Sequence, residues 1–256
     1  VWFLLIFNLT GKIAAVWVGW SAPATAVTLW IVPDLVLAYH HLMPRAQGLV
    51  RTYRHFQTSG REVWLTIDDG PDPDDTPRIL ELLAAHDSRA TFFVIGENAA
   101  AHPGLIRAIT AAGHEVADHT QTHPLATFWR ASPRRLAREL DDSLAVLREA
   151  GVRPTRFRPP AGLKNLWMGP ALAARGLACI GWSARGLERQ FQDPEAVADR
   201  VLRGLAPGVI LLLHEGPRVH PAVRVHAIRR VLERLHGQGY QCVVPAPAQL
   251  EVTGRR

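Results

Sequence analysis

Lysine, cysteine and methionine are nearly missing from this 256-residue chain. Its two cysteines, Cys179 and Cys242, lie far apart and without C-x-x-C spacing, which excludes a disulfide scaffold and a zinc ribbon. With only Lys12 and Lys164 as lysines, the net charge of +6 is carried by arginines scattered singly or in pairs such as Arg134-Arg135. No aromatic-interleaved basic patch or nucleic-acid motif accompanies them, so nucleic acid is not an expected partner. An apolar fraction of 48% against 20% charged residues describes a globular chain with a substantial core.

Charge itself is absent from residues 13–33, a mainly apolar run with Trp17, Trp20 and Trp30. At ~1.5 Å per helical residue it is long enough for a ~30 Å hydrocarbon core, and tryptophans suit interfaces. The reading is a membrane anchor within residues 1–42, as one span or as a hairpin with Gly11-Lys12 at its tip. A signal peptide ending near Ala22-Pro23-Ala24 and a soluble packing helix are the alternatives. Arg45, Arg51 and Arg54 follow the run, against Lys12 before it, which leans towards a cytoplasmic-facing domain; an extracytoplasmic one is the alternative. Residues 43–60 read as a connector, 61–250 as one catalytic domain and 251–256 as a tail.

Within residues 61–250, short β-branched runs alternate with amphipathic ones. Strands are expected at 63–67, 90–95, 115–118, 155–158, 178–182, 209–213 and 241–244, with helices between them. That alternation predicts an α/β fold around a parallel sheet, open or closed into a barrel. Function in such folds sits at the carboxyl ends of the strands. Those ends carry Asp68-Asp69, Asp118-His119 with His123 following, Arg158-Pro159-Pro160, Trp182-Ser183 and His214-Glu215.

Asp68 and Asp69 on their own fit an Asx turn and a helix cap. Two carboxylates at the mouth of a buried strand also repel, and a bound cation relieves that. His119 and His123, four residues apart, would share one face of a helical turn and, with one carboxylate, make a two-histidine, one-carboxylate set with open positions. Hydrolysis at such a divalent metal, zinc first and cobalt or another divalent ion next, also needs a base and an acid. The free aspartate suits the first role, His214 the second, and Arg158 would hold the base ionised.

Together, Thr66-Ile67-Asp68-Asp69-Gly70-Pro71, His119-x-x-x-His123, Arg158-Pro159-Pro160-Ala161-Gly162 and Leu212-Leu213-His214 resemble the polysaccharide deacetylase family, also known as the NodB-homology domain or carbohydrate esterase family 4. The resemblance implies a distorted (β/α)7 barrel and metal-dependent removal of an N-acetyl or similar small acyl group from an amino sugar, in a glycan or lipid-linked saccharide. It assigns Asp69, His119 and His123 to the metal, Asp68 to the base, His214 to the acid and Arg158 to steadying Asp68. Ala161 (through its backbone N–H), Leu212 and Trp182 fall to the oxyanion and substrate pocket. An O-deacetylase or deformylase would use the same machinery, and a silent glycan-binding homologue is the alternative of another class. Two departures stand out. Ala161 replaces a common aromatic, and Arg185 stands where an acid usually tunes the catalytic histidine, leaving Glu188 or Glu215 as substitutes.

Overall fold

The structure is a computed structural model and describes residues 1–252. In chain order its elements are helices α1 (Trp2–Val18) and α2 (Pro23–Leu42), strands β1 (Thr52–Tyr53), β2 (His55–Phe56) and β3 (Glu62–Asp68), α3 (Thr76–Ala85), β4 (Ala90–Val94), α4 (Gly96–Ala101), α5 (Pro103–Ala111), β5 (Glu115–Asp118), α6 (Pro133–Glu149) and β6 (Arg156–Phe157). There follow α7 (Met168–Ala173), β7 (Ala178–Ile180), β8 (Ala184–Arg185), α8 (Pro194–Val201), β9 (Ile210–His214), α9 (Arg224–Gly237), β10 (Gln241–Cys242) and β11 (Leu250–Glu251).

All seven strands expected between residues 61 and 250 form, and they pair in parallel in the order β7-β6-β5-β4-β3-β9, with β10 also on β3. Their hydrophobic runs are buried on both faces, as parallel strands covered by helices require. The path continues to β1 beside β7 and to β8 beside β9. Gly181-Trp182-Ser183 joins β7 to β8, and the Ser183 N–H reaches the Ile210 carbonyl at 3.0 Å. The sheet therefore curls into a distorted half-barrel.

Four short strands are additions to the sequence reading. Residues 43–60, expected as a connector, supply β1 and β2, and β2 pairs antiparallel with β11. Two-residue strands carry no periodicity, so nothing in the sequence announced them. Of the expected tail, residues 253–256 lie outside the described residues.

Strand alternation divides the core. Val63, Leu65 and Ile67 of β3 pack outward with α3 and α9, in one cluster with Ile79, Leu83, Ile228 and Val231. Trp64 turns inward, in a second cluster with Phe93, Ala117, Ile180 and Ile210. Below the site, Trp64 donates to Thr91 (2.8 Å), Thr91 to Glu115 (2.6 Å), and Arg156 pairs with Glu115 (2.5 Å), which closes the barrel floor.

The single membrane span expected over residues 13–33 is not what forms. The run breaks at residues 19–22, and Pro23, without an N–H, starts a new helix. Helices α1 and α2 pack as a hairpin whose tip lies there rather than at Gly11-Lys12. Gly11 is where they approach closest: a Cβ on it would lie 2.6 Å from Pro33 Cγ and 2.9 Å from the Leu29 carbonyl. Among the described residues no helix is long and apolar enough to cross a membrane. The hairpin docks on the barrel through Lys164, whose ammonium donates to the carbonyls of Met43 (3.1 Å) and Pro44 (2.6 Å).

Ile106, fully buried on α5, tests the outer core. Ile106→Ala should lower the unfolding free energy in urea by about 2–5 kcal/mol. An unchanged midpoint would contradict this packing.

Candidate active and metal site

Five strand ends converge on one cleft, lined by Asp68, Asp69, His119, His123, Trp182 and His214, with Ala161 and Leu212 on its wall. Register brings the first members together. Asp68, the last residue of β3, pairs directly with His214 at the end of β9. Asp69 follows the strand with φ 76°, a left-handed turn that swings its carboxylate back towards the same opening instead of the opposite face.

His119 and His123 do not share a helical turn. They sit on a loop with Thr120 at φ 72° and His123 at φ 50°. Three side chains hold that loop: Asp118 accepts from the Thr120 N–H (3.0 Å), Thr120 Oγ1 from the His123 N–H (3.1 Å), and Glu139 from the Thr122 N–H (2.9 Å). The rings end 4.9 Å apart. Asp118 is fully buried, and burial pushes its carboxyl up to about 7 against its bond from Ser143.

The donor set suits a cation. His119 Nε2 and His123 Nε2 lie 3.6 and 3.2 Å from Asp69 Oδ1. For ligands ~2.0–2.2 Å from a tetrahedral ion, neighbouring donors stand roughly 3.4 Å apart. Asp69 Oδ1 is buried and has no hydrogen-bond partner, so it faces both imidazoles with an unsatisfied lone pair. His119 Nδ1–H can donate to the Arg158 carbonyl (2.7 Å), which leaves Nε2 as the ligating atom. Burial lowers His119 to about 4 and His123 to about 3, so both rings are neutral and able to ligate near pH 7. Burial would raise Asp69, but His119, His123, His214 and Arg218 outweigh it and hold the carboxyl below its usual range.

Asp68 is anchored on one oxygen only. Arg158 Nη1 donates to Oδ1 at 2.6 Å, and Oδ2 is directed towards the His119 side, 3.7 Å from Nε2. Burial pushes this carboxyl up, with Arg158 and His214 opposing. A buried carboxylate raised in this way is a better base than an exposed one.

Arg185 stands on β8 and points outward, its guanidinium 6.0 Å from the Trp182 ring. Glu188 occupies the position beside His214. Both its oxygens lie 3.2 Å from His214 Nδ1, and Oε1 also accepts the His214 N–H at 2.9 Å. Burial would lower His214, but Glu188, then Asp68 and Asp69, raise it to about 9. Glu215 points elsewhere, accepting from Thr76 Oγ1 at 2.5 Å with burial raising it to about 8. Arg189 and Arg218, which the sequence reading did not single out, reach Asp69 Oδ2 at 3.2 and 3.9 Å. Neither lies at the end of an expected strand, and no motif marked them.

The profile of the polysaccharide deacetylase family matches residues 56–180. A chitooligosaccharide deacetylase of Sinorhizobium fredii is 38% identical over 202 residues, covering 75% of this chain and 93% of that protein. A peptidoglycan-N-acetylglucosamine deacetylase of Bacillus cereus is 32% identical over 181 residues, covering 70% and 84%. The solved family 4 carbohydrate esterase of Streptomyces lividans, in complex with acetate, superposes with a TM-score of 0.66 at 31% identity, covering 75% of this chain and 96% of that one. The chain belongs to the polysaccharide deacetylase family, and its half-barrel is the fold of those esterases.

His214 is charged below about pH 9 and loses its proton above it. Removing the Glu188 charge leaves burial to act with less opposition, so Glu188→Gln should move the alkaline limb of the kcat/KM profile down by more than one pH unit. An unmoved limb would remove Glu188 from this role.

Proposed function

We propose that the chain is a divalent-metal-dependent hydrolase that removes the N-acetyl group from an amino sugar of a glycan or lipid-linked saccharide. The observation that carries this is the orphaned Asp69 Oδ1 facing two neutral imidazoles, with a separate carboxylate and a charged imidazole on either side. Zinc is the proposed ion, because a two-histidine, one-carboxylate set with open positions is its hydrolytic environment. Held by Asp69, His119 and His123, it would supply Lewis acidity and lower the pKa of water at its open positions.

The chain's own groups divide the proton work. Asp68 Oδ2 takes the proton of the attacking water while Arg158 holds Oδ1 and fixes the carboxylate plane. His214, gripped at Nδ1 by Glu188, presents Nε2 to the cleft and gives its proton to the departing amine. Leu212, nearly fully buried, forms the floor for the acyl methyl. Ala161, at φ 52°, is placed to offer its N–H to the developing oxyanion. Its small side chain leaves the sugar groove open on that side.

We also propose that the apolar hairpin seats the enzyme in one leaflet of a membrane. The support is its exposed aromatic tip, with Trp17 at 83% and Trp20 at 99% accessibility, and the Lys12–Asp34 pair (3.1 Å) where its charge-free part begins. Six residues of α1 and eleven of α2 beyond that pair extend about 9–16 Å, up to half of a ~30 Å core. Arg45, Arg51 and Arg54 beyond the hairpin suit the headgroup level of a cytoplasmic leaflet.

Acetate release from N-acetylglucosamine oligomers should require added zinc or cobalt and fall by about 10³-fold or more in His119→Ala. Undiminished turnover in that variant would overturn the metal assignment. In sedimentation with phosphatidylglycerol-containing vesicles, the chain should pellet, and Trp17→Ser/Trp20→Ser should stay in solution with turnover of soluble oligomers intact. Equal partition of the two proteins would remove the hairpin from membrane binding.

A further inference from the structure

Beside the catalytic cleft, on the far side of Trp182, lies a second cavity whose charged lining is entirely arginine: Arg54, Arg185, Arg200 and Arg203. Trp182 and Arg185 line both cavities, so the two are contiguous around one indole. The four guanidiniums come from three separate pieces of chain. Arg54 lies between β1 and β2, Arg185 on β8, Arg200 in the last turn of α8 and Arg203 just beyond it. None of the four pairs with a carboxylate among the described residues, whereas neighbouring Asp199 and Glu195 of α8 are taken by Arg234 and Arg230.

Two atoms show that the cavity is built rather than a solvated fringe. Arg54 is held in place through Nε, which donates to the Trp182 carbonyl at 3.1 Å, so its remaining N–H groups are oriented by the fold. Arg200 Nε is buried and has no hydrogen-bond partner. A desolvated guanidinium donor without an acceptor is costly, and converging like charges add to the cost. Burial, and after it the charge of Arg45 outside the cavity, lower the pKa of Arg54. An anion with several acceptor oxygens offsets both terms. Forked donors approaching from separate directions match the oxygens of a phosphate better than one planar carboxylate.

We propose that this arginine cavity is a subsite for a phosphate or diphosphate group on the substrate, so that the acylated amino sugar handled in the cleft is a phosphorylated saccharide. The inference rests on the deacetylase reading above and narrows its substrate class. Arg185 takes on a new meaning here. With Glu188 serving His214, Arg185 faces the anion cavity, joining it to the site of amide cleavage. The docked hairpin reaches the same place, since a Cβ on Gly162 would touch Trp182 on one side (2.6 Å) and Pro44 on the other (2.8 Å). The phosphate can therefore belong to a soluble sugar phosphate or to a lipid-linked saccharide whose chain lies along the membrane.

The test uses the full metal-loaded chain and three substrates: a neutral N-acetylglucosamine tetramer, N-acetylglucosamine 1-phosphate, and polyprenyl-diphosphate-linked N-acetylglucosamine in vesicles. Wild type should favour at least one phosphorylated substrate about tenfold or more in kcat/KM, and which one identifies the source. Arg200→Ala and Arg203→Ala should each raise KM for that substrate about tenfold with kcat and the neutral tetramer little changed. Arg200→Lys, which keeps the charge without the fork and guards against misfolding, should fall between. Binding of pyrophosphate, followed by calorimetry, should be present in wild type and lost in Arg200→Ala/Arg203→Ala. Equal losses on neutral and phosphorylated substrates, or no pyrophosphate binding by wild type, would overturn the subsite. Turnover of the tetramer reports separately on the deacetylase reading.

Discussion

The buried pair between Arg158 and Asp68 is the constraint on which the site depends. Arg158 is fully buried in the barrel, and every edge of its guanidinium is used. Nη1 donates to Asp68 Oδ1 and to Thr66 Oγ1, Nε to the Ile180 carbonyl and Nη2 to the Gly181 carbonyl, while the group lies 4.1 Å from the Phe93 ring. The Arg158 backbone also binds Asp118 through its N–H and His119 through its carbonyl. One residue thus fixes the Asp68 carboxylate, orients the His119 ring and ties β3, β4, β5 and β7 together. Such a cation is tolerable in a barrel because each of its three nitrogens has an acceptor. Truncating one partner of a buried pair typically costs 3–5 kcal/mol.

Around that anchor the family machinery is rearranged rather than lost. The carboxylate beside His214 comes from Glu188, three residues beyond Arg185, in the 186–190 stretch next to the end of β9. Leu187 takes a left-handed conformation, φ 60°, just before Glu188. The chain reaches His214 from a different position with the same chemistry, a carboxylate on Nδ1. Distance and burial decide the outcome, because a carboxylate at 3.2 Å in a desolvated site outweighs an arginine that points to solvent.

The same rearrangement explains the character of the cleft. Its interior is acidic and imidazole-rich, while its rim carries Arg185, Arg189 and Arg218. A substrate is therefore met first by guanidiniums and then by the metal ligands. Just beyond the hairpin, Pro44 lies against Gly162, which Trp182 meets as well.

Much of this was legible in the residues themselves. The seven parallel strands follow from short β-branched runs that alternate with amphipathic ones, since burial of both faces leaves a continuous apolar signature. Asp68, Asp69, His119, His123, Arg158 and His214 were expected at strand ends, and the fold brings them together around one cleft. Sequence alone also marked residues 13–33 as a run without charge. It could not say that the run folds back at Pro23, because apolarity is the same for a span and for a hairpin, and the break is a matter of local backbone geometry. It placed the histidine pair on a helical turn, whereas tertiary contacts from Asp118 and Glu139 hold it on a loop. Only the tertiary structure chose Glu188 over Glu215, brought Arg189 and Arg218 to Asp69, and gathered Arg54, Arg200 and Arg203 beside Trp182 and Arg185. Those choices depend on which side chains meet across the barrel mouth, and pairwise distances between remote segments are not written in local pattern.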